Sequence, residues 1–93
     1  MSNYVYLLVS TSKRKPISYV GYTKNLKKRV NLHNNSKGAK FTKGRFWKLA
    51  YFERFLTKSD ALKEEYKLKK NYTLRSKIKK EFLKNENISS SSL

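Results

Sequence analysis

The sequence predicts a small α+β domain: a three-stranded antiparallel sheet flanked by helices, in the order β-β-α-β-α-α. Two runs rich in β-branched and aromatic residues lie close together at residues 4–10 and 17–22, and a third covers residues 47–55. The link between the first two runs is short, polar and ends in proline, which favours an antiparallel hairpin. Gly21 inside the second run predicts that another group approaches the backbone closely there.

The first and last helices are predicted from apolar residues at helical spacing. The first covers about residues 24–34, with Thr23 as its N-cap. The last covers about residues 73–84, with Thr73 as its cap. Their expected inward-facing side chains are Leu26, Val30 and His33 in the first helix, and Leu74, Ile78 and Phe82 in the last.

The helix between them, residues 58–70, contains the most informative residue of the chain. Thr57 with Asp60 three residues later predicts the start of this helix. Ala61, Leu62 and Leu68 form its predicted apolar face, and Glu65 projects from between them. A carboxylate on such a face is costly unless a cation or hydrogen-bond donors meet it. Glu65 is therefore predicted to have a specific partner.

Length and charge limit what the protein can be. We assign one folded domain to residues 1–84 and an unstructured tail to residues 85–93, which has few apolar side chains. Twenty-three basic residues against six acidic ones give a formal net charge of +17, which predicts a polyanionic partner such as nucleic acid. The absence of cysteine and the single histidine exclude thiolate and histidine-rich zinc sites. No secretory pattern or bilayer-length apolar run occurs, so a cytoplasmic location without membrane attachment is expected.

A basic, glycine-containing segment at residues 35–46 lacks any periodicity and is predicted to be a surface loop. Lysines and an arginine alternate with aromatic rings in it, a composition that suits a phosphate track with stacking platforms for bases. A flexible, solvated loop is the alternative. The predicted DNA-binding residues are Lys37, Lys40, Phe41, Lys43 and Arg45.

Five features together resemble the GIY-YIG nuclease family. The two halves of the family's name motif appear as Tyr4-Val5-Tyr6 and Tyr19-Val20-Gly21. Arg29 follows ten residues after the second tyrosine, and His33 comes one helical turn later. Glu65 matches the family's metal-binding glutamate. Each feature alone is weak, but their joint order and spacing are specific, and the resemblance covers residues 4 to about 83.

Two further strings, at 38–45 and 61–70, are similar to the small, stand-alone, single-domain branch of this family. Two departures stand beside them. Tyr4 replaces the leading glycine of the first motif, as it does in that branch. The asparagine that many members carry after the glutamate has no counterpart, since lysines fill this stretch and Asn71 lies too close to Glu65.

The resemblance implies a metal-dependent DNA endonuclease that hydrolyses phosphodiester bonds with one divalent ion, Mg²⁺ or Mn²⁺. Glu65 would hold the ion. The composition agrees with one ion, since a two-metal site needs several carboxylates and only one can be placed. Arg29 would clamp the scissile phosphate. Tyr6 or Tyr19 would accept a proton from the attacking water, provided that nearby cations depress the pKa of the phenol. His33 would orient the nucleophile or contact phosphate.

Ordinary structural roles are the alternative for each of these residues. The two tyrosines can be strand aromatics, Arg29 can be solvated, and His33 can be a packed core residue. Glu65 can pair with Lys69 one turn away. A non-catalytic basic module that binds DNA or RNA on the same fold is the alternative function. The expected partner is DNA, branched or single-stranded, with a separate targeting protein as a possible addition, and the sequence sets no oligomeric state.

Overall fold

The computed structural model describes the backbone of residues 2–91 and the side chains of residues 2–86. Its elements follow the predicted order. In chain order they are β1 (Asn3–Ser10), β2 (Ile17–Thr23), α1 (Leu26–Asn34), β3 (Lys48–Phe55), α2 (Lys58–Lys70) and α3 (Tyr72–Ser91).

The three strands form one antiparallel sheet in the order β2-β1-β3, as predicted. In the β1–β2 hairpin Tyr6 lies opposite Gly21, and Leu8 lies opposite Tyr19. The pairing of β1 with β3 shifts between Leu7 and Leu8, because Ala50 is the extra residue of a bulge in β3.

The central strand supplies two cores because its side chains alternate between the two faces of the sheet. Val5, Leu7 and Val9 pack under α2 and α3 together with Ala61 and Leu68. On the other face, the buried residues pack against α1 and the start of β3. They are Tyr6, Leu8 and Trp47. The predicted inward residues Leu26 and Val30 of α1 contact this second core, which therefore lies directly beside His33.

Several predicted details of the helices are wrong. Leu62 does not belong to the apolar face of α2, since its side chain is 42% exposed. Leu74 is likewise exposed rather than inward, whereas Ile78 and Phe82 pack against the core as predicted. Ala61 and Leu68, two turns apart, are sufficient for α2 to cover its part of the small sheet, and Leu62 points away from that line of contact.

The helix caps differ from the prediction in two of three cases. Thr57 caps α2 as predicted, its hydroxyl accepting from the Asp60 amide at 3.1 Å. Asn25 rather than Thr23 caps α1, and Asn71 rather than Thr73 caps the start of α3. In both cases the asparagine carbonyl oxygen accepts from a backbone amide three residues later.

The last helix continues to Ser91, beyond its predicted end near residue 84. Its backbone therefore runs through most of the segment assigned to the tail, and residues 92–93 lie outside the described residues. The domain limits 1–84 and 85–93 stay predictions. Within the described part of the chain, no helix is both long and apolar enough to cross a bilayer.

Candidate functional site

The site is centred on Tyr6, which the middle strand places on the α1 face of the sheet. The side chain is almost fully buried. Gly21, its partner on β2, is the reason that the ring fits: a Cβ added to this glycine would overlap the Tyr6 hydroxyl and ring. The close approach predicted at Gly21 is confirmed, and the approaching group is the tyrosine of the first motif.

Replacing Gly21 by alanine is expected to lower the free energy of unfolding by about 1–3 kcal/mol, the usual cost of overpacking a dense core. It should also displace Tyr6 and change the NMR signals of the His33 ring. Denaturant titration and NMR check the two effects. Gly44→Ala is the control, because its Cβ would meet open space and its cost is confined to a positive φ of 76°. Unchanged stability and His33 signals in Gly21→Ala would contradict the prediction.

A chain of hydrogen bonds leads from Tyr6 into the protein. The Tyr6 hydroxyl lies 2.9 Å from Nε2 of His33, and Nδ1 of His33 lies 2.8 Å from the Thr42 hydroxyl. All three side chains are buried. The basic loop therefore folds back onto α1, and Gly38 makes room, since a Cβ there would overlap the imidazole.

Burial dominates the proton affinities at this centre. Burial raises the pKa of Tyr6 above the usual range of a phenol, and Arg29 opposes this only in part. A tyrosine that accepts a proton from water was expected to have its pKa depressed by nearby cations such as Arg29. This expectation is not met at Tyr6. Burial, reinforced by Arg29, lowers the pKa of His33 below its ordinary value of 6.5. His33 is therefore neutral at pH 7 and can accept a proton.

The lowered pKa of His33 predicts how stability depends on pH. The groups facing the imidazole are Tyr6, Tyr19, Thr42 and Arg29. The unfolded chain binds the imidazole proton more readily than the folded protein. The contribution of neutral His33 to the free energy of unfolding is therefore complete above pH 6.5. It is lost as the pH falls through the lower pKa of the folded state.

We therefore expect the free energy of unfolding to fall between pH 7 and pH 5, as measured by denaturant titration. The fall should be smaller in His33→Gln, which is the control. Because the chain has one histidine, an NMR titration of its ring protons reports the folded pKa directly. A midpoint at or above 6.5 would contradict the prediction.

The second tyrosine lies on the same face as the first. The Tyr19 ring contacts His33 edge-on at 5.2 Å between centroids, and it stacks on Phe41 at 5.9 Å with an angle of 22°. Trp47 completes the group at 6.3 Å. Unlike that of Tyr6, the Tyr19 hydroxyl forms no hydrogen bond with any side chain of residues 2–86, so it remains available to a ligand.

Arg29 and Glu65 act electrostatically on Tyr6, together with Tyr19. These four side chains come from four elements, β1, β2, α1 and α2, so the fold brings segments together that lie far apart in the chain. Arg29 is half-buried, and within the described part of the chain no salt bridge or hydrogen bond occupies its guanidinium. It is therefore available for a phosphate.

Glu65 is the more buried of two adjacent glutamates in α2. Its side chain is 18% exposed, compared with 42% for Glu64. Lys69 lies 3.4 Å from a Glu65 carboxylate oxygen, the pair that the ordinary structural reading predicted. The Glu65 carboxylate thus faces the ammonium group of Lys69. The Lys69 side chain is half-exposed, so it can move away into solvent.

The donor set fits an ion that keeps most of its water. Among the described residues, no three His, Cys, Asp or Glu side chains converge. Glu65 alone can contribute a protein carboxylate, which leaves the remaining positions to water and to substrate oxygens. This is how proteins commonly hold Mg²⁺ next to phosphate.

The two ends of the basic loop, residues 35–46, are joined by hydrogen bonds between the residues that flank it. The Asn34 side chain forms two hydrogen bonds with the backbone of Trp47. It donates to the Trp47 carbonyl at 3.0 Å and accepts from the Trp47 amide at 2.6 Å. Between these anchors Lys37, Lys40 and Lys43 are exposed, as the sequence predicts.

The two remaining predicted DNA-binding residues differ from each other. Phe41 is 58% exposed although it stacks on Tyr19, so one side of its ring is open. Arg45 is only half-exposed, and its Nη1 is buried without a hydrogen-bond partner among the described residues. Phe41 is thus the loop side chain best placed to extend the site.

Two basic side chains that the sequence analysis did not select lie in the same groove as Tyr19. A depression of about 360 Å³ is lined by Tyr19, Phe41, Lys69 and Arg75, among others. Arg75 is held there because its Nε donates to the Leu68 carbonyl at 3.1 Å. No signal in the sequence distinguished Arg75 from the many other cations, and Lys69 was considered there only as an ion-pair partner of Glu65.

A second depression, of about 480 Å³, extends from Arg29 past the start of α1. Its cationic lining consists of Lys24, Lys28, Arg29 and Lys58. Asn71, in contrast, lies in a different hollow beside Glu64 and is occupied as a helix cap. It does not replace the missing family asparagine.

The chain is similar in sequence to a known catalytic domain family and to several bacterial proteins. A sequence model of the GIY-YIG catalytic domain matches residues 2–81. A UPF0213 protein of Oceanobacillus iheyensis is 43% identical over 68 residues, which are 72% of this chain and 76% of the relative. One from Staphylococcus epidermidis is 52% identical over 62 residues, 66% of this chain and 74% of the relative. The solution NMR structure of a UPF0213 protein of Bacillus halodurans is 36% identical, covering 74% of this chain and 71% of that one, with a TM-score of 0.42.

Proposed function

Because this chain belongs to the GIY-YIG catalytic domain family, we propose that it is a metal-dependent endonuclease that hydrolyses phosphodiester bonds in DNA. The observation that carries the proposal is the buried hydrogen bond between Tyr6 and His33, with Tyr19, Arg29 and Glu65 around it. The family supports a nuclease-like activity, and the substrate, the metal and the residue roles are the proposed part.

Tyr6 is the group that takes the proton from water. Its raised pKa makes a free phenolate costly, so the proton of its own hydroxyl must leave as the water proton arrives. The neutral His33 supplies the acceptor, with Nε2 at 2.9 Å. Water thus loses a proton to the Tyr6 oxygen, and Tyr6 passes its proton to His33. The resulting hydroxide attacks phosphorus as the bond to the 3′ oxygen breaks, and the released 3′ oxygen takes a proton from solvent water.

Tyr19 and Arg29 hold the phosphate in place. A guanidinium presents paired donors that match two phosphate oxygens, and it offsets the charge that accumulates in the transition state. The Tyr19 hydroxyl has no partner within residues 2–86, and its ring is fixed by His33, Phe41 and Trp47. It is suited to donating a hydrogen bond to the attacking water or to a phosphate oxygen.

Glu65 holds the divalent ion, Mg²⁺ or Mn²⁺. When bound, the ion neutralises charge on the phosphate and on the departing oxygen. Lys69 must release the Glu65 carboxylate for this to happen, and its half-exposed side chain allows that movement at the cost of a weak, ~0.5 kcal/mol helix pair.

The nucleic acid crosses the site between two basic surfaces. One is the loop of residues 37–45, with Phe41 open for stacking against a base. The other is the depression formed by Lys24, Lys28 and Lys58 next to Arg29. Both surfaces contact phosphate or a generic base face, so they support binding by shape and charge rather than by sequence. Specificity would come from branched or single-stranded DNA, or from a targeting protein.

Incubation with supercoiled plasmid, single-stranded DNA and branched DNA tests the proposal, with and without Mg²⁺ or Mn²⁺. We expect nicking or cleavage that chelation abolishes. Salt-sensitive DNA binding without cleavage of any substrate would instead select the non-catalytic binding module. Stronger binding to RNA than to DNA at equal salt would point to an RNA-associated protein.

A further inference from the structure

Thr42 forms the inner end of the Tyr6–His33 hydrogen-bond chain. The side chain is fully buried in the loop between α1 and β3. Its hydroxyl lies 2.8 Å from Nδ1 of His33 and 3.0 Å from the Ala39 carbonyl oxygen. Nothing in the family motif as it appears in the sequence assigns a role to this threonine.

The direction of these hydrogen bonds follows from counting hydrogens. The Ala39 carbonyl can only accept, so the single hydroxyl hydrogen of Thr42 is donated to it. The Thr42 oxygen must then accept from His33, which places a proton on Nδ1. Nε2 is left with a free lone pair, directed at the Tyr6 hydroxyl 2.9 Å away.

We propose that Thr42 is a positioning residue that fixes His33 as the Nδ1–H tautomer and so gives Tyr6 a proton acceptor. The catalytic part rests on the proposed function, in which Tyr6 takes a proton from water. The tautomer itself is a property of the resting protein and can be measured without substrate.

Thr42 is rigid enough for this role. Its backbone amide also donates to the Ala39 carbonyl at 3.2 Å, and its own carbonyl accepts from Nε1 of Trp47 at 2.9 Å. Gly38 also lies against the imidazole, with no room for a Cβ. The backbone of Thr42 is therefore fixed, and the Ala39 carbonyl holds its hydroxyl beside His33.

Two substitutions separate the hydroxyl from the shape of the side chain. Thr42→Val keeps the volume and removes the hydrogen bonds, whereas Thr42→Ser keeps the hydroxyl. Nitrogen-15 NMR of the imidazole reads the tautomer without ambiguity because the chain contains one histidine. At pH 8 we expect protonated Nδ1 and bare Nε2 in the wild type and in Thr42→Ser, and a shift toward protonated Nε2 in Thr42→Val.

Cleavage should follow the tautomer. We expect a loss of about 10–100-fold in Thr42→Val, a size typical of residues that orient a catalytic histidine, and near wild-type activity in Thr42→Ser. A tautomer shift without loss of cleavage would overturn the positioning role. Protonated Nε2 in the wild type would overturn the proposal even if Thr42→Val fails to fold. The expected tautomer in a wild-type protein that cuts no DNA would overturn the nuclease function instead.

Discussion

Replacing Glu65 by glutamine is expected to reduce metal-dependent cleavage by at least about 10³-fold. Among the described residues, Glu65 is the only carboxylate that acts on the Tyr6 hydroxyl. Glutamine keeps the size of the side chain and removes the charge that attracts the ion. Metal-ion stabilisation of a phosphoryl transition state is commonly worth several kcal/mol, and each ~1.4 kcal/mol is a factor of ten in rate.

The neighbouring Glu64 provides the control. It belongs to the same helix, but it is more exposed and pairs with Lys67 at 3.4 Å. Glu64→Gln should leave cleavage within about twofold, since exposed pairs contribute little. Paramagnetic broadening of backbone signals by Mn²⁺ gives a readout independent of turnover, and it should disappear in Glu65→Gln alone. Equal cleavage by the two variants would falsify the assignment of the ion to Glu65.

Replacing Tyr6 by phenylalanine is expected to slow cleavage by about 10²–10⁴-fold, the range typical of a lost general base. The substitution removes the oxygen that lies 2.9 Å from His33 and keeps the ring that packs against Gly21. The free energy of unfolding should fall by only about 1 kcal/mol, because one buried hydrogen bond is lost and no cavity forms. DNA binding should be nearly unchanged.

Tyr51→Phe is the matched control for this substitution. Its hydroxyl also forms a side-chain hydrogen bond, donating to Glu53 at 3.0 Å, and its ring packs against the other core, under α2 and α3. Cleavage should not change in this variant. If Tyr6→Phe cleaves as fast as Tyr51→Phe, the proton passes through another group, and Tyr19 becomes the first alternative.

The three strands could be predicted because β-branched and aromatic residues concentrate in them. The two cores that they build follow from the simple period of strand side chains. In β1 every second residue is aliphatic, and the intervening Tyr6 and Leu8 form the other core. The face of α2 was harder to predict. Leu62 and Leu68 look equivalent in the sequence, but only one of them meets the narrow sheet.

The caps show a different limit of sequence-based prediction. Thr23 and Asn25 are both good cap residues two positions apart, as are Asn71 and Thr73. Which of them caps the helix depends on the residue at which the preceding strand or helix ends. In both cases the asparagine satisfies the amides.

Spacing and motif order singled out the candidate site residues, whereas their contacts could not be predicted from the sequence. Spacing along α1 placed Arg29 and His33 on one face, and the motif placed Tyr6 nearby. Thr42 could not be found in this way. It reaches His33 across nine residues of a segment without periodicity, and only the folded path of the loop brings the two together.

The hydrogen bonds between Asn34 and the backbone of Trp47 close the basic loop at its neck, while a Cβ added to Gly44 would meet open space. Lengthening a closed loop costs little, roughly 0.6 kcal/mol for each doubling of its length. Residues inserted beside Gly44 would therefore leave the neck and the buried threonine in place. The exposed part of the basic loop can therefore change in length and in sequence while the buried Tyr6–His33–Thr42 hydrogen bonds stay as they are.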